Sequence, residues 1–174
     1  MFNSLPAFLP GSSMKLRFSL FSFLLLGMLA LQTACKKDDK PTPDYTAQDD
    51  ATIQQYIKDK GLTGFRKDTL GVYVAITQPG TGPNAKKGQV VKVLYTGTLL
   101  DGTVFDSNLT TLGLPFVLGR GLVIQGWDKG FQYFNKGAKG ILLIPSTQAY
   151  GSTANAQIPA NSVLRFDVEV VDIK

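Results

Sequence analysis

From about residue 71 onward, apolar and polar positions alternate in short segments, which is the pattern of β-strands. In the last segment, Leu164, Phe166, Val168 and Val170 alternate with charged residues. Because successive strand side chains point to opposite faces, one buried and one solvated face are predicted. Comparable segments, rich in β-branched and aromatic residues, are GVYVAIT, QVVKVLYTGTL, TVFDS, KGILLIP and VLRFDVEVVDI. We therefore predict an antiparallel sheet built from these five strands.

Two details refine the predicted sheet. In the second segment, Val91, Val93 and Tyr95 fall on one face, which places a tyrosine beside core valines. After it, Asp101 and Gly102 form a dipeptide that favours a tight hairpin connection. The second and third strands are therefore predicted to be hairpin partners.

Between the third and fourth predicted strands, the apolar residues follow a helical spacing. Trp127, Phe131 and Phe134 recur at i, i+4 and i+7, and polar residues occupy the other positions. This spacing predicts one short helix lying against the sheet, with Gly137 as its stop signal.

A second short helix is predicted ahead of the sheet. Ile53, Tyr56 and Ile57 share helical spacing and predict a helix over about Ala51–Lys60. The preceding Asp49 and Asp50 are candidate N-caps, and Gly61 is a stop signal. We expect the apolar stripe to pack on the following domain; dimerisation through it is the alternative.

The first 34 residues are predicted to be an export signal. Lys15 and Arg17 precede an apolar run that ends at Leu31 and is shorter than the roughly 20 residues a membrane-spanning helix needs. Met14 is an alternative start of this signal. The sequence LQTAC then resembles a bacterial lipoprotein signal, in which Cys35 becomes the lipidated first residue of the mature protein; an ordinary secretory signal is the alternative.

Residues 35–48 are predicted to be a lipidated cysteine followed by a flexible tether, because KKDDKPTPDYTAQ has almost no apolar residues. Residues 49–69 would hold the first helix and a connector, and residues 70–174 one folded domain. The sequence CKKDD also resembles that following the cysteine in surface-exposed lipoproteins of the Bacteroidetes group. The expected location is the cell envelope, lipid-anchored to the outer membrane on its periplasmic or external side.

The amino-acid composition argues against several classes of catalytic and metal site. The chain has 174 residues, 44% of them hydrophobic, with one cysteine and no histidine. Histidine-dependent triads and zinc sites are therefore not expected, and we predict no metal and no cofactor. The net charge of +5 includes Lys15 and Arg17 in the predicted signal, so nucleic-acid binding is not expected either.

The aromatic residues suggest a binding pocket. A single tryptophan is usually a core residue. Here, however, further aromatics occur at positions flanked by turns, and their convergence would form a pocket around Trp127: Tyr95, Phe105, Phe116, Tyr150 and Phe166.

Several linked motifs carry a family resemblance. The stretches GQVVKVLYTGTLLDGTVFDSN, PFVLGRGLVIQGWDKGFQYFNKGAKGILLIPSTQAYG and IPANSVLRFDVEVVDI resemble the FKBP-type peptidyl-prolyl cis-trans isomerases over about Leu70 to Lys174. The resemblance implies an α+β fold in which an antiparallel sheet wraps around one short helix. It also implies an isomerase whose substrates are proline-containing segments, here of exported proteins.

The resemblance also assigns site residues. Trp127 would form the floor of a proline pocket, and Tyr150 would offer its hydroxyl to a substrate carbonyl. The Ile124 backbone N–H would hold a neighbouring carbonyl, and Asp106 would lie beside the Tyr95 hydroxyl; an Asx-turn role is the alternative for Asp106. The resemblance thus implies Tyr95, Asp106 and Tyr150 as the catalytic residues. The other implied substrate-binding residues are Phe105, Phe116, Val123, Ile158 on the rim, and Phe166.

Two positions depart from the family pattern. Leu114 falls where many members carry an aromatic residue, and Gln157 replaces an apolar rim residue. These departures leave substrate preference and macrolide affinity open.

Such a pocket needs no nucleophile. Rotation about an Xaa-Pro bond meets a barrier of roughly 18–20 kcal/mol because amide resonance is broken. A dry aromatic pocket would favour the less polar twisted state. The alternative function is a non-catalytic module that holds proline segments as a chaperone or assembly partner.

Overall fold

The computed structural model describes residues 45–110, 112–155 and 157–174. The predicted signal, Cys35 and the tether up to residue 44 lie outside the described residues. Within these residues, no helix is long and apolar enough to cross a membrane.

The described residues form one antiparallel sheet of seven strands. The strands are β1 (Arg66–Lys67), β2 (Tyr73–Gln78), β3 (Val90–Leu99), β4 (Val104–Asn108), β5 (Leu114–Val117), β6 (Lys139–Ile144) and β7 (Leu164–Ile173). Their order is β1-β2-β6-β7-β3-β4, and β5 also pairs with β3. The five strands predicted from alternation are confirmed, whereas β1 and β5 were not predicted by it.

The central strand β3 has the predicted two-faced character. Val91, Val93 and Tyr95 are all buried on its inner face. β7 pairs along one side of β3; on the other side, β5 pairs with its first half and β4 with its second half. The Asp101-Gly102 hairpin is also confirmed, since Gly102 adopts φ +96° and donates its N–H to the Leu99 carbonyl at 3.0 Å.

The helix against the inner face of the sheet is α2 (Gln125–Gly130), and a 3-10 turn (Phe131–Tyr133) continues it. The predicted apolar spacing is confirmed, because Trp127, Phe131 and Phe134 are all buried. The predicted stop at Gly137 is wrong: the helical stretch has ended by Tyr133, and Gly137 adopts φ +83° in a later turn.

Glycines let α2 lie unusually close to β6. A Cβ atom at Gly126 would overlap the Ile144 side chain, and one at Gly130 would come within 2.6 Å of Leu142 Cδ2. Both neighbours are fully buried and have no room to move aside. The two glycines on either side of Trp127 are therefore required by the contact between helix and sheet.

The first helix, α1, spans Tyr45–Asp59 and is longer than predicted. The expected start at Ala51 is wrong, and the last residues assigned to the tether, 45–48, are helical. Asp49 and Asp50 are consequently not N-caps but lie inside the helix. Their carboxylates are satisfied by tertiary partners, since Asp49 accepts hydrogen bonds from Ser146 and Asp50 accepts one from Tyr73.

The apolar stripe of α1 packs on the sheet, as expected. Ile53 is fully buried in a second, outer cluster with Tyr73, Ile141, Leu143 and Val163. Arg165 Nη1 also donates to the Tyr56 hydroxyl at 2.9 Å. The stripe is thus occupied within the chain, and Ile53 is not available for the alternative of dimerisation.

Gly126→Ala is expected to lower the free energy of unfolding by about 1–3 kcal/mol, the usual effect of inserting a methyl group into a closely packed contact. Urea or thermal unfolding measures the change. Lys129→Ala, on the exposed face of the same helix, is the control and should change stability by less than about 0.5 kcal/mol. Equal stability of the two variants would contradict the assigned contact.

Candidate functional site

A cavity of about 220 Å³ opens where the start of α2 faces β3, β4 and β7. Its lining residues are Tyr95, Phe105, Asp106, Leu114, Leu122, Val123, Ile124, Trp127, Tyr150 and Phe166. Trp127 and Phe166, at 4% and 3% exposure, are the most deeply buried of them. The cavity therefore has an aromatic base and a polar edge formed by Asp106 and the tyrosine hydroxyls.

Edge-to-face contacts fix the aromatic base. The Trp127 ring centroid lies 4.9 Å from that of Tyr95 and 5.3 Å from that of Phe166, at interplanar angles of 85° and 80°. Phe105 meets Phe166 at 5.5 Å and 87°. These are favoured arrangements for aromatic pairs, so each ring holds its neighbours in place. The cavity wall is thus organised before any ligand enters.

Gly97 makes this aromatic packing possible. It lies on β3 two residues after Tyr95, with its missing side chain directed at the rings. A Cβ atom there would come within 2.7 Å of the Phe105 ring and 2.9 Å of the Phe166 ring. The glycine of the YTG motif therefore leaves the space that the two phenylalanines fill.

Tyr95 and Asp106 form the polar pair at the edge of the cavity. The Tyr95 hydroxyl donates to Asp106 Oδ2 at 2.6 Å, between the neighbouring strands β3 and β4. Burial, reinforced by the hydrogen bond to Asp106, raises the pKa of Tyr95 well above its ordinary value. Tyr95 therefore stays neutral at physiological pH. Asp106 lies within a strand and accepts this bond, which favours the site interpretation over the Asx-turn alternative.

The loop before α2 is anchored by a residue that the sequence analysis treated only as part of a polar face. The Asp128 carboxylate accepts the backbone N–H groups of Gly119 and Gly121, at 2.7 and 2.8 Å. Both glycines have positive φ, +74° and +68°. This clamp fixes the turn that leads into Leu122, Val123 and Ile124. The glycine pair in LGRG, close before a helix with an early aspartate, is the signal that could have identified it.

The structure brings together most of the predicted site residues, with two exceptions. Phe116 lies behind the cavity, with its ring centroid 5.5 Å from Trp127 and 5.4 Å from Phe131, and supports the indole from below. Ile158 is 3% exposed and is not among the residues that line the cavity. Leu122, which the sequence analysis missed, is 70% exposed and takes a rim position.

Size alone does not select this cavity. A larger groove, of about 330 Å³, crosses the outer face of the sheet past Thr96, Lys139 and Glu169. Lys139 and Glu169 pair with each other there at 2.8 Å. Tyr95 is the one aromatic residue that lines this groove, whereas five aromatic residues line the smaller cavity, which is therefore the better candidate among the described residues.

Comparison with known proteins identifies the family of the chain. The sequence model of FKBP-type peptidyl-prolyl cis-trans isomerases matches residues 82–171, which include every lining residue of the cavity. The chain belongs to the FKBP-type peptidyl-prolyl cis-trans isomerase family. The resemblance noted in the sequence motifs is therefore confirmed at the level of the family.

Individual relatives support the assignment to this family. A Saccharomyces cerevisiae peptidyl-prolyl cis-trans isomerase is 43% identical over 104 residues, 60% of this chain and 25% of the relative. The crystal structure of a peptidyl-prolyl cis-trans isomerase from Pseudomonas syringae pv. tomato superimposes with a TM-score of 0.62 at 31% identity, covering 74% of this chain and 96% of that one. The crystal structure of FkpA from Escherichia coli gives a TM-score of 0.63 at 32% identity, covering 94% of this chain and 73% of that one.

The chain thus matches about a quarter of the length of its yeast relative. The two crystal structures confirm the FKBP-like fold, an antiparallel sheet with a short helix against it.

Asp106→Asn is expected to lower the pKa of Tyr95. The substitution removes both the charge that opposes ionisation of the phenol and its carboxylate hydrogen-bond acceptor, which are two of the causes of the raised pKa. Because burial persists, the pKa should remain above the ordinary value of about 10. The pH dependence of the Tyr95 Cζ chemical shift measures the change, with Asp101→Asn in the exposed hairpin as the control. An unchanged or higher pKa in Asp106→Asn would contradict the described pair.

Proposed function

We propose that this chain catalyses cis-trans isomerisation of Xaa-Pro peptide bonds, with the proline ring bound against Trp127. The observation that carries the proposal is the preorganised aromatic cavity around a buried indole, found within the segment that matches the isomerase family. The cavity's volume of about 220 Å³ suits a proline ring and its flanking amides better than a large folded surface.

The proposed mechanism is non-covalent. Water stabilises the planar, charge-separated amide by hydrogen bonding, and entry into the aromatic cavity removes that water. Desolvation raises the energy of the planar ground state more than that of the twisted transition state, in which resonance is already lost. Lowering the barrier by about 7 kcal/mol would accelerate rotation by roughly five powers of ten.

The two tyrosines have different proposed tasks. The Tyr95 hydroxyl already donates a hydrogen bond to Asp106, so this pair maintains the shape of the cavity edge. Tyr150 is 43% exposed and lines the cavity, which lets its hydroxyl donate to a carbonyl of the bound peptide. The Ile124 backbone N–H, at the start of α2, is proposed to hold a second carbonyl. A donor placed for the twisted geometry adds binding in the transition state alone.

Tyr150→Phe is expected to lower kcat/KM about fivefold, which corresponds to one neutral hydrogen bond of about 1 kcal/mol. Trp127→Ala should lower it about a hundredfold, since the base of the cavity is lost. NMR exchange on a short Xaa-Pro peptide, with catalytic amounts of the purified protein, measures both effects. The control for Tyr150→Phe is Tyr133→Phe, whose ring lies outside the cavity against Arg66.

Peptide binding without acceleration by the unmodified protein would overturn the enzymatic proposal. It would favour the alternative of a non-catalytic module that holds proline segments. Equal activity of the Tyr133 and Tyr150 variants would instead remove Tyr150 from the proposed mechanism.

We further propose that the protein works in the cell envelope on exported proteins, attached to a membrane by lipid on Cys35. Support comes from the apolar run, the LQTAC sequence and the polar residues that follow Cys35. Acyl chains contribute about 0.8 kcal/mol for each buried CH2 group, so several chains on one cysteine anchor a protein stably. Slow proline isomerisation in newly exported chains would provide the substrates.

Cys35→Ser is expected to move the protein from the detergent-extracted membrane fraction to the soluble fraction of its host. Fractionation followed by mass spectrometry of the N-terminal peptide measures attachment and lipid mass together. Tyr150→Phe is the control and should remain with the membrane. Release of the unmodified protein by high salt alone would contradict a lipid anchor, because salt screens ionic contacts and leaves acyl chains embedded.

A further inference from the structure

A buried carboxylate links α1 to the segment that carries Tyr150. Asp49 is only 3% exposed, and its Oδ2 accepts both the backbone N–H of Ser146 at 2.7 Å and the Ser146 hydroxyl at 2.6 Å. A carboxylate is rarely buried unless its hydrogen bonds are satisfied. The two bonds from one serine therefore fix the position of Ser146 relative to α1.

Ser146 in turn holds the backbone on both sides of Tyr150. It begins a 3-10 turn (Ser146–Gln148), and its carbonyl accepts the N–H of Ala149 at 3.0 Å and that of Gly151 at 2.9 Å. Ala149 and Gly151 are the chain neighbours of Tyr150. The Ser146 carbonyl thus holds the backbone on both sides of Tyr150.

Packing alone does not hold Tyr150 in place. Its side chain is 43% exposed, and the residues that follow it up to Asn155 are mostly exposed and polar. The Gly151 carbonyl accepts the N–H of Asn161 at 2.7 Å, which anchors the far end of the segment. The near end depends on Ser146, and Ser146 depends on Asp49.

We propose that Asp49 is a positioning residue for Tyr150, which makes α1 a structural part of the catalytic site. Asp49 lies before the residues 82–171 that match the family and acts through Ser146, without contacting the cavity. The inference rests on the proposed function in one respect: its kinetic consequence requires that Tyr150 contact the substrate.

The adjacent residue Asp50 provides a matched control. Its carboxylate accepts hydrogen bonds from the Tyr73 hydroxyl at 2.8 Å and from Gln54 Nε2 at 2.8 Å, and it pairs with Lys67. Asp50 therefore fixes the same helix to β1 and β2, whereas Ser146 donates its two hydrogen bonds to Asp49. Loss of either aspartate weakens the attachment of α1, whereas only loss of Asp49 releases Ser146.

The kinetic experiment compares Asp49→Ala with Asp50→Ala, each with and without Tyr150→Phe, in the full chain well below the unfolding temperature. Asp49→Ala is expected to lower kcat/KM by roughly three- to tenfold, as misplacement of a substrate contact does. Asp50→Ala should change it less than about twofold. Once Tyr150→Phe has removed the hydroxyl, Asp49→Ala should have little further effect, because residues that act through one group are not additive. Asp49→Asn, which keeps an acceptor oxygen, should recover part of the activity.

A second measurement does not depend on catalysis. In Asp49→Ala, the amide protons of Ala149 and Gly151 should exchange with solvent at least about tenfold faster, whereas Asp50→Ala should leave both rates unchanged. Equal exchange rates in the two variants would overturn the positioning role, and so would additive kinetic losses in the Tyr150→Phe background. If the unmodified protein fails to accelerate isomerisation, the proposed function fails, and the exchange rates alone decide whether Asp49 positions Tyr150.

Discussion

The close approach of α2 to β6 is the contact on which the candidate site depends. The helix has only six residues, too few to be stable without tertiary packing. Gly126 and Gly130 bring its backbone against Ile144 and Leu142, with no side chain between them. At this separation the indole of Trp127 reaches the inner face of β3 and β7, where Tyr95 and Phe166 meet it edge to face. A helix held further away would leave a gap between the indole and these rings.

Polar contacts then fix what apolar packing leaves free. Aromatic burial determines how deep the cavity is, but it does not orient exposed loop segments. Asp128 fixes the loop before α2 through two backbone N–H groups, and Asp106 fixes the Tyr95 hydroxyl. Asp49 holds Ser146 from the other side of the sheet. In each case a carboxylate oxygen accepts a hydrogen bond from a group brought close by the tertiary fold.

The sequence predicts those parts of the structure that leave a local periodic signal. Alternation identified the long strands, and the spacing of Trp127, Phe131 and Phe134 identified the helical turn against them. β5 was missed by this criterion because it has only four residues and contains Pro115, and β1 has only two residues. The start of α1 was misplaced because Asp49 resembles an N-cap, whereas its true partner, Ser146, is 97 residues further along the chain. No local pattern carries that information.

The site residues also divide into those that the sequence predicts and those that only the structure reveals. The family motifs selected most of the residues that line the cavity, but they missed Leu122 and also selected Phe116 and Ile158, which do not line it. Phe116 packs directly behind Trp127, and sequence alone does not distinguish a residue in the cavity wall from one behind it. Gly97 contributes by lacking a side chain, which leaves room for the Phe105 and Phe166 rings. Asp128 contributes by accepting hydrogen bonds from two backbone N–H groups of the preceding loop. The contribution of Gly97 became apparent only from distances in three dimensions, whereas the LGRG glycines before α2 offered a local signal for Asp128.

The position of β7 in the sheet has a consequence for how the protein folds. This strand is the last along the described chain, yet it lies between β6 and β3 in the middle of the sheet. Until β7 is inserted, the two halves of the sheet share no hydrogen-bonded edge, and the cavity lacks Phe166. Assembly therefore requires contacts between distant parts of the chain, which slow folding and make it cooperative. The cavity is therefore completed only together with the whole sheet, and any ligand that binds it in the folded protein would stabilise that fold as a whole.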